Sequence, residues 1–212
     1  MGTVKITNIS KYKGMTYMVE FEEGEPEFVN IGILNMFNIK AGASLPLSAW
    51  EEVKNEDLFR KAKERALYLL DYKDYSYIGL YEKLEKNYSE EICLRVLDKL
   101  VEMGAVNDRR YAEGMARHYV EVKHFGRYRA FREMRSKGLT AEVINEALDV
   151  YDGDEEESWY DRLKELVENR YLRYLDDEKG INKVKNALVR YGYTYDLIKE
   201  VINDVLEEYS EE

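Results

Sequence analysis

The middle of the chain holds a concentration of cationic side chains whose chemistry suits the binding of anions. Residues 105–140 have a net charge of +5, although the 212-residue chain as a whole has a net charge of −11. Guanidinium groups form paired hydrogen bonds with carboxylates and with phosphates, so either a protein or a nucleic acid would be a suitable ligand. The candidate partner- or DNA-binding residues are Arg109, Arg110, Arg117, Lys123, Arg127, Arg129, Arg132, Arg135 and Lys137.

Within this region, basic and apolar residues recur with the same interval of three. The arginines with this spacing are predicted to follow one side of a helix, and they are Arg129, Arg132 and Arg135. The neighbouring buried face of the same helix is predicted to consist of Tyr128, Phe131 and Met134.

The remaining polar residues do not indicate catalysis or metal binding. His118 and His124 lie six residues apart, a spacing that does not place two metal ligands on one helical face. Cys93, the single cysteine, falls on a predicted buried helix face, which favours packing over reactivity. The sequence has no phosphate-binding glycine loop and no nucleophile elbow. We therefore expect no enzymatic activity, no cofactor and no bound metal.

The first 50 residues differ from the rest of the chain. Short segments rich in β-branched and aromatic residues predict a small antiparallel sheet, and they are Val4–Ile9, Thr16–Phe21 and Phe28–Ile31. A short helix is predicted near Ile33–Phe37, and a sheet of this size is expected to pack on the helices. No proline follows Pro46, which favours helix from about Ser48 onward.

A repeated pattern organises the helical part of the chain. Two pairs of glycines are each twelve residues apart: Gly126 with Gly138, and Gly180 with Gly192. A hydroxyl residue two positions after each second glycine is predicted to cap the next helix, namely Thr140 and Thr194. An earlier copy is one residue shorter and has Ser76, Asn87 and Ser89 at the corresponding positions. Asn87 is predicted to adopt the left-handed conformation that ends a helix.

Each copy follows another helical segment, and each ends in an amphipathic helix. The preceding segments are Leu58–Asp71, Arg109–Val122 and Trp159–Leu175. The predicted buried residues of the final helices are Ile92, Cys93, Val96, Leu97 and Leu100, then Val143, Ile144, Ala147 and Leu148, then Leu197, Ile198, Val201 and Ile202.

Together these patterns predict a mainly α protein, with three tandem three-helix repeats in an elongated array and a small N-terminal antiparallel β element. The predicted domains are 1–50, 51–104, 105–151 and 152–212, the third being basic and the fourth acidic. The charged segment Asp152–Glu157 between the last two repeats is consistent with either a hinge or a solvated loop.

Composition also bears on where the chain works. The sequence begins without a basic and then apolar leader, and no run of 18 uncharged apolar residues occurs. We expect a cytoplasmic protein that does not enter membranes. Few exposed apolar runs are predicted, which favours a monomer.

Two segments of the basic repeat resemble a known family, the bacterial RecX regulators of the RecA recombinase. The first is Asn107-Asp108-Arg109-Arg110-Tyr111-Ala112, which is similar to the family's Asp-Asp-x-x-Phe-Ala segment. The second runs from Gly126 to Leu139 and is similar to the family's Gly, basic stretch, Leu and Lys-Gly-Ile segment. Asn107 and Tyr111 depart mildly from that pattern.

The resemblance implies an all-helical, modular protein without enzymatic activity. Members of the family bind the RecA nucleoprotein filament, lie along its groove, and inhibit recombinase and ATPase activity in DNA repair, recombination and the SOS response. Single-stranded or duplex DNA would then be contacted through the filament or directly, mainly by the basic repeat. Residues 141–212 have a net charge of −12, which argues against a continuous basic surface.

Two other functions fit the residues themselves. The chain could bind DNA directly through its basic repeat, without a protein partner. It could instead be a generic helical scaffold for an unrelated protein.

Overall fold

The computed structural model describes residues 2–153 and 158–210, and the chain divides into two units. The first unit comprises Met1–Lys73 and Leu80–Ala105. The second comprises Asp74–Gly79 and Val106–Glu212. Most of the segment considered as a hinge, residues 154–157, lies outside the described residues.

The N-terminal strands form one antiparallel sheet in the order β3-β2-β1-β4. The strands are β1 (Thr3–Lys13), β2 (Thr16–Phe21), β3 (Glu27–Asn30) and β4 (Ser44–Pro46). The small antiparallel sheet is therefore confirmed. The strand that sequence reasoning missed, β4, has three residues and ends in proline, so it lacks a strand signature of its own; Val4 opposes Leu45 in its pairing with β1.

The sheet packs on the helices, as predicted. Ile6, Val19 and Val29 of the sheet are buried in one cluster with Trp50 and Val53 of a long helix. The two helices of this region are α1 (Ile31–Met36) and α2 (Leu47–Tyr72). The predicted start near Ser48 and the predicted segment Leu58–Asp71 are thus parts of one helix of 26 residues.

The described residues after α2 form the remaining helices of three three-helix repeats, so the predicted fold class is confirmed. The first repeat is completed by α3 (Tyr77–Leu84) and α4 (Glu90–Glu102). The second repeat consists of α5 (Asp108–Arg117), a π-helical turn (His118–Val122), α6 (Arg127–Arg135) and α7 (Ala141–Asp149). The third consists of α8 (Trp159–Arg170), a 3₁₀ turn (Leu172–Tyr174), α9 (Glu178–Tyr191) and α10 (Tyr195–Ser210).

Hydroxyl side chains cap the last helix of each repeat, as the sequence predicts. Ser89 accepts a hydrogen bond from the Ile92 backbone N–H at 3.5 Å, and Thr140 accepts one from Val143 at 3.4 Å. Thr194 accepts one from Leu197 at 3.3 Å. The predicted buried residues of α4 are all buried, including the free Cys93, and burial raises the pKa of its thiol.

The left-handed conformation predicted for Asn87 is wrong. Among the described residues, the non-glycine positions with positive φ are Asn38 and His124. The backbone N–H groups of Asn87 and Tyr88 both donate to the Leu84 carbonyl, at 3.0 and 3.1 Å, so a turn without a left-handed residue ends α3. The shorter first copy reaches its Ser89 cap without one.

Gly180 is placed differently from Gly126, its counterpart in the repeated pattern, which precedes α6. It lies inside α9, which begins at Glu178, and Asp177 caps this helix by accepting a hydrogen bond from Gly180 N–H at 2.5 Å. A Cβ atom at Gly180 would overlap the carbonyl oxygen of Tyr174. The first turn of α9 is therefore closed by its own preceding segment.

The first turn of α6 is closed differently, by the third repeat. Gly126 provides no side-chain cap to α6. Instead its N–H donates to the Tyr191 carbonyl at 2.8 Å, and the N–H of Tyr128 donates to the Gly192 carbonyl at 3.1 Å. These bonds satisfy N–H groups that a helix start leaves unpaired. They also bring the two backbones so close that a Cβ on Gly126 would lie 2.5 Å from the Gly192 carbonyl carbon.

A related junction holds the segment Asp74–Gly79 in the second unit. Ser76 is 1% exposed; its hydroxyl donates to the Lys137 carbonyl at 2.5 Å and accepts a hydrogen bond from Gly79 N–H at 3.0 Å. Gly138 has a φ of +83°, and a Cβ there would approach the Ile78 side chain to 2.9 Å. Ser76 and Gly138 thus meet as Gly126 and Gly192 do, which agrees with the repeat positions inferred from the sequence.

Replacing glycine by alanine is expected to have opposite effects on stability at the crowded Gly192 and at the open position of Gly114. Gly192 has a φ of +96°, and an added Cβ would lie 2.6 Å from the Cβ of Arg129. We expect Gly192→Ala to lower the free energy of unfolding by at least about 2 kcal/mol, as measured by urea denaturation. Gly114 lies in α5 with no atom within 4 Å of an added Cβ, so Gly114→Ala should raise stability by up to about 1 kcal/mol. A neutral effect of Gly192→Ala would contradict this account of the junction.

Candidate partner-binding surface

One side of helix α6 is buried in the core of the second repeat, and the opposite side is exposed. Ala130 and Met134 are fully buried, and Phe131 packs partly buried against the same core. Tyr128 is 69% exposed, so its predicted burial is wrong. Because Ala130 and Met134 are four residues apart and define the buried line, Tyr128 and Arg132 lie on the opposite line.

Arg127 forms ion pairs with acidic residues at the end of α7 and just after it. Its guanidinium donates to Asp149 at 2.6 Å, to Asp152 at 2.7 Å and to the Asn145 side-chain oxygen at 3.3 Å. The Arg127 side chain is 31% exposed. This arginine thus ties the start of α6 to α7 and to the segment that follows α7, and its charge is compensated.

Arg129 is held at the junction between the second and third repeats. Its guanidinium carbon lies 3.9 Å from the centre of the Phe125 ring and 5.9 Å from that of Tyr191. Its Nη1 donates to the Arg190 carbonyl at 3.3 Å, and its Nε lies 3.9 Å from a Glu133 carboxylate oxygen. A cation over an aromatic face is attracted electrostatically to the ring, so Arg129 helps to stabilise the junction.

Two further arginines of the candidate set also have partners within the second repeat. The Arg135 guanidinium donates to the Leu139 carbonyl at 2.7 Å, at the turn between α6 and α7. The Arg109 guanidinium donates to Glu146 at 3.1 Å, which links α5 to α7. The predicted row of Arg129, Arg132 and Arg135 is therefore divided between packing and exposed positions.

The remaining cations of the set are presented to solvent. Arg110 is exposed near the start of α5. Within residues 2–153 and 158–210, no hydrogen bond or ion pair engages the side chains of four exposed residues. We call these four the open cationic set: Arg117, Lys123, Arg132 and Lys137. Their charges are available to an anionic partner.

In the second repeat, burial shifts the pKa values of Asp108 and Tyr151, and both groups form hydrogen bonds with other segments of the fold. Burial raises the pKa of Asp108, while the hydrogen bond from Tyr77 N–H at 2.7 Å opposes that shift. Burial also raises the pKa of Tyr151, and the nearby Glu121, which accepts a hydrogen bond from its hydroxyl at 3.2 Å, adds to the shift. Asp108 and Tyr151 thus hold neighbouring segments together.

The described part of the chain contains no cluster of three or more His, Cys, Asp or Glu side chains placed to hold a metal ion. Within that same part, no helix has the length and apolar character needed to cross a membrane.

Comparison with known proteins shows what kind of helical-repeat protein this architecture defines. Residues 62–100 match the first three-helix domain of RecX, residues 107–148 the second, and residues 156–202 the third. The regulatory protein RecX of Clostridioides difficile is 30% identical over 205 residues, which cover 95% of each chain. That of Trichlorobacter lovleyi is 34% identical over 142 residues, covering 64% of this chain and 90% of the relative. The chain therefore belongs to the RecX family of regulatory proteins.

Solved structures agree with this fold. A crystal structure of regulatory protein RecX superposes with a TM-score of 0.73 at 22% identity, covering 95% of this chain and 99% of the other. The crystal structure of RecX from Lactobacillus salivarius has a TM-score of 0.64 at 24% identity, covering 70% of this chain and 97% of the other. At these identities the likeness concerns the fold.

The different environments of two arginines on α6 lead to a measurable difference in stability. We expect Arg129→Ala to lower the free energy of unfolding by about 1–2 kcal/mol, because it removes a partly desolvated cation–aromatic contact. Arg132→Ala should change it by less than about 0.5 kcal/mol, since its side chain is exposed and has no partner in the described part of the chain. Urea unfolding of both variants tests the distinction, and equal losses would refute it.

Proposed function

We propose that this chain binds the RecA nucleoprotein filament and inhibits its recombinase and ATPase activities in DNA repair and recombination. The observation that carries the proposal is the open cationic set on the second repeat. Four cations whose side chains have no partner among the described residues lie in a chain of net charge −11. The choice of the recombinase as the partner comes from the family resemblance, and membership of the RecX family supports it.

The physical basis of binding is the pairing of these cations with an acidic protein surface or with DNA phosphates in the filament. Arg132 presents an exposed guanidinium on the outer line of α6, and Lys137 follows in the adjoining turn. Individual contacts of this kind are weak and are screened by salt. Three repeats in one chain can combine weak contacts on a helical polymer, because the later contacts become intramolecular.

The charge distribution restricts where DNA would be contacted. Residues 105–140 have a net charge of +5, and residues 141–212 have a net charge of −12. The acidic third repeat would repel phosphates, so we assign DNA contact to the second repeat. The basic second repeat also favours an alternative function, direct binding to DNA without a recombinase.

The first test is ATP hydrolysis by the recombinase of the same organism on single-stranded DNA, with this protein titrated well below one molecule per recombinase protomer. A filament regulator should inhibit at such ratios. A direct DNA competitor would need to cover the DNA lattice, and its affinity for naked DNA should be high and fall steeply with salt. The absence of any effect at all ratios would refute the proposed function and favour the scaffold alternative.

A second test reverses charge within the open cationic set. We expect Arg132→Glu combined with Lys137→Glu to weaken filament binding and ATPase inhibition at least about ten-fold, because two attractive contacts become repulsive. Helical circular dichroism should be unchanged, since neither side chain has a partner in the described chain.

The matched control carries the same change of charge on the third repeat. Lys179→Glu with Lys199→Glu alters two exposed lysines of α9 and α10, and it should leave inhibition close to that of the unmodified protein. Equal weakening by both double variants would show that net charge acts non-specifically, and it would contradict the assignment to the open cationic set.

A further inference from the structure

An apolar cleft of about 540 Å³ opens in the second unit, where the second and third repeats meet. A cavity of this volume lies in the range of sites that enclose a ligand group. Its walls come from α6 and α7, from Asp152 after α7, from the start of α8, from the turn between α9 and α10, and from the first turn of α10. The lining residues on which the argument depends are Arg127, Tyr128, Phe131, Asp152, Trp159 and Leu197.

The charged and hydrogen-bonding side chains of Arg127, Asp152, Trp159 and Thr194 in the cleft already have partners within the protein. Arg127 is paired with Asp152, and the Trp159 indole N–H donates to the same carboxylate at 2.6 Å. Thr194 uses its hydroxyl to cap α10. The surface offered to a ligand is therefore mainly the aromatic and aliphatic faces of Tyr128, Phe131 and Leu197.

The charge at the edge of the cleft favours a protein ligand over a nucleic acid. One guanidinium, that of Arg127, is flanked by two partly exposed carboxylates, those of Asp149 and Asp152. If a base of DNA entered the cleft, the phosphates of its strand would come close to these carboxylates and to the acidic third repeat, which would repel them. A Lys or Arg side chain of a protein would instead be attracted there.

The cleft also lies beside the surface proposed to bind the filament. Tyr128 is 69% exposed and precedes Arg132 by four residues, so both occupy the outer line of α6. A partner bound at Arg132 would therefore reach the ring of Tyr128 one helical turn away.

We propose that the cleft receives a large apolar side chain of the recombinase, with a neighbouring Lys or Arg of the recombinase facing Asp149 and Asp152. This inference rests on the proposed function and deepens it. Burial of an aromatic or large aliphatic group in such a pocket supplies affinity that does not depend on salt, whereas the open cationic set supplies a salt-dependent part.

The test measures the binding of the full chain to recombinase filaments on single-stranded DNA, and to the naked DNA, over a range of salt concentrations. Tyr128→Ala should weaken filament binding about ten-fold without changing its salt dependence or the affinity for naked DNA. Tyr128→Phe should bind as the unmodified chain does, because it keeps the ring. As a control, Tyr174→Ala removes a tyrosine of the third repeat that is 47% exposed and lies outside the cleft, and it should have no effect.

Three results would overturn the inference, and each has a distinct meaning. Unchanged filament binding by Tyr128→Ala, in a chain that does bind filaments, would show that the cleft is not used. An equal loss of affinity for naked DNA would show that a nucleobase occupies it. Failure of the unmodified chain to bind filaments would refute the proposed function itself, and this inference with it.

Discussion

The backbone contact between Gly126 and Gly192 is the constraint on which the second unit depends. The helix α6 starts at a glycine without a side-chain cap, and its first N–H groups are bonded to the carbonyls of Tyr191 and Gly192. Such bonds form only where two backbones can approach without intervening side chains. Arg129 then closes over Phe125 beside this contact. The second repeat therefore obtains part of its helix capping from the third.

This arrangement explains why the positive charge of the second repeat is not all available for binding. Arg127 and Arg129 are directed to carboxylates, aromatic rings and a backbone carbonyl within the unit. Their cationic groups serve to hold repeats and helices together. The residues of the open cationic set have no such partners among the described residues, and Arg132 in particular stands on the outer line of α6, one helical turn from the exposed Tyr128. The internal contacts and the proposed binding surface thus involve different members of one sequence cluster.

The sequence predicts those parts of the fold that local patterns encode. The caps at Ser89, Thr140 and Thr194 each bond a backbone N–H three residues ahead, which a periodic pattern can show. The ending of α3 could not be predicted in this way. The residue type of Asn87 suggests a left-handed conformation, but the hydrogen bonds to the Leu84 carbonyl determine the turn instead.

The sequence identifies the cationic residues of the candidate site, but it does not predict their partners within the fold. The carboxylates that accept from Arg127 lie 22 and 25 residues away in the sequence, and the carbonyl bonded by Arg129 lies 61 residues away. No local pattern contains such partners. The apolar cleft has the same origin, because its walls come from segments that only the folded repeats bring together.

The closed start of α9 bears on how proteins of this architecture can change in length. In α6, the position of Gly126 is open towards a following repeat, whereas the Tyr174 carbonyl already covers Gly180 and Asp177 already bonds its N–H. A copy appended after α10 would find no free junction there. Duplication of the second repeat in place would preserve a glycine junction at each new boundary, so the junction geometry favours growth of an array by internal insertion.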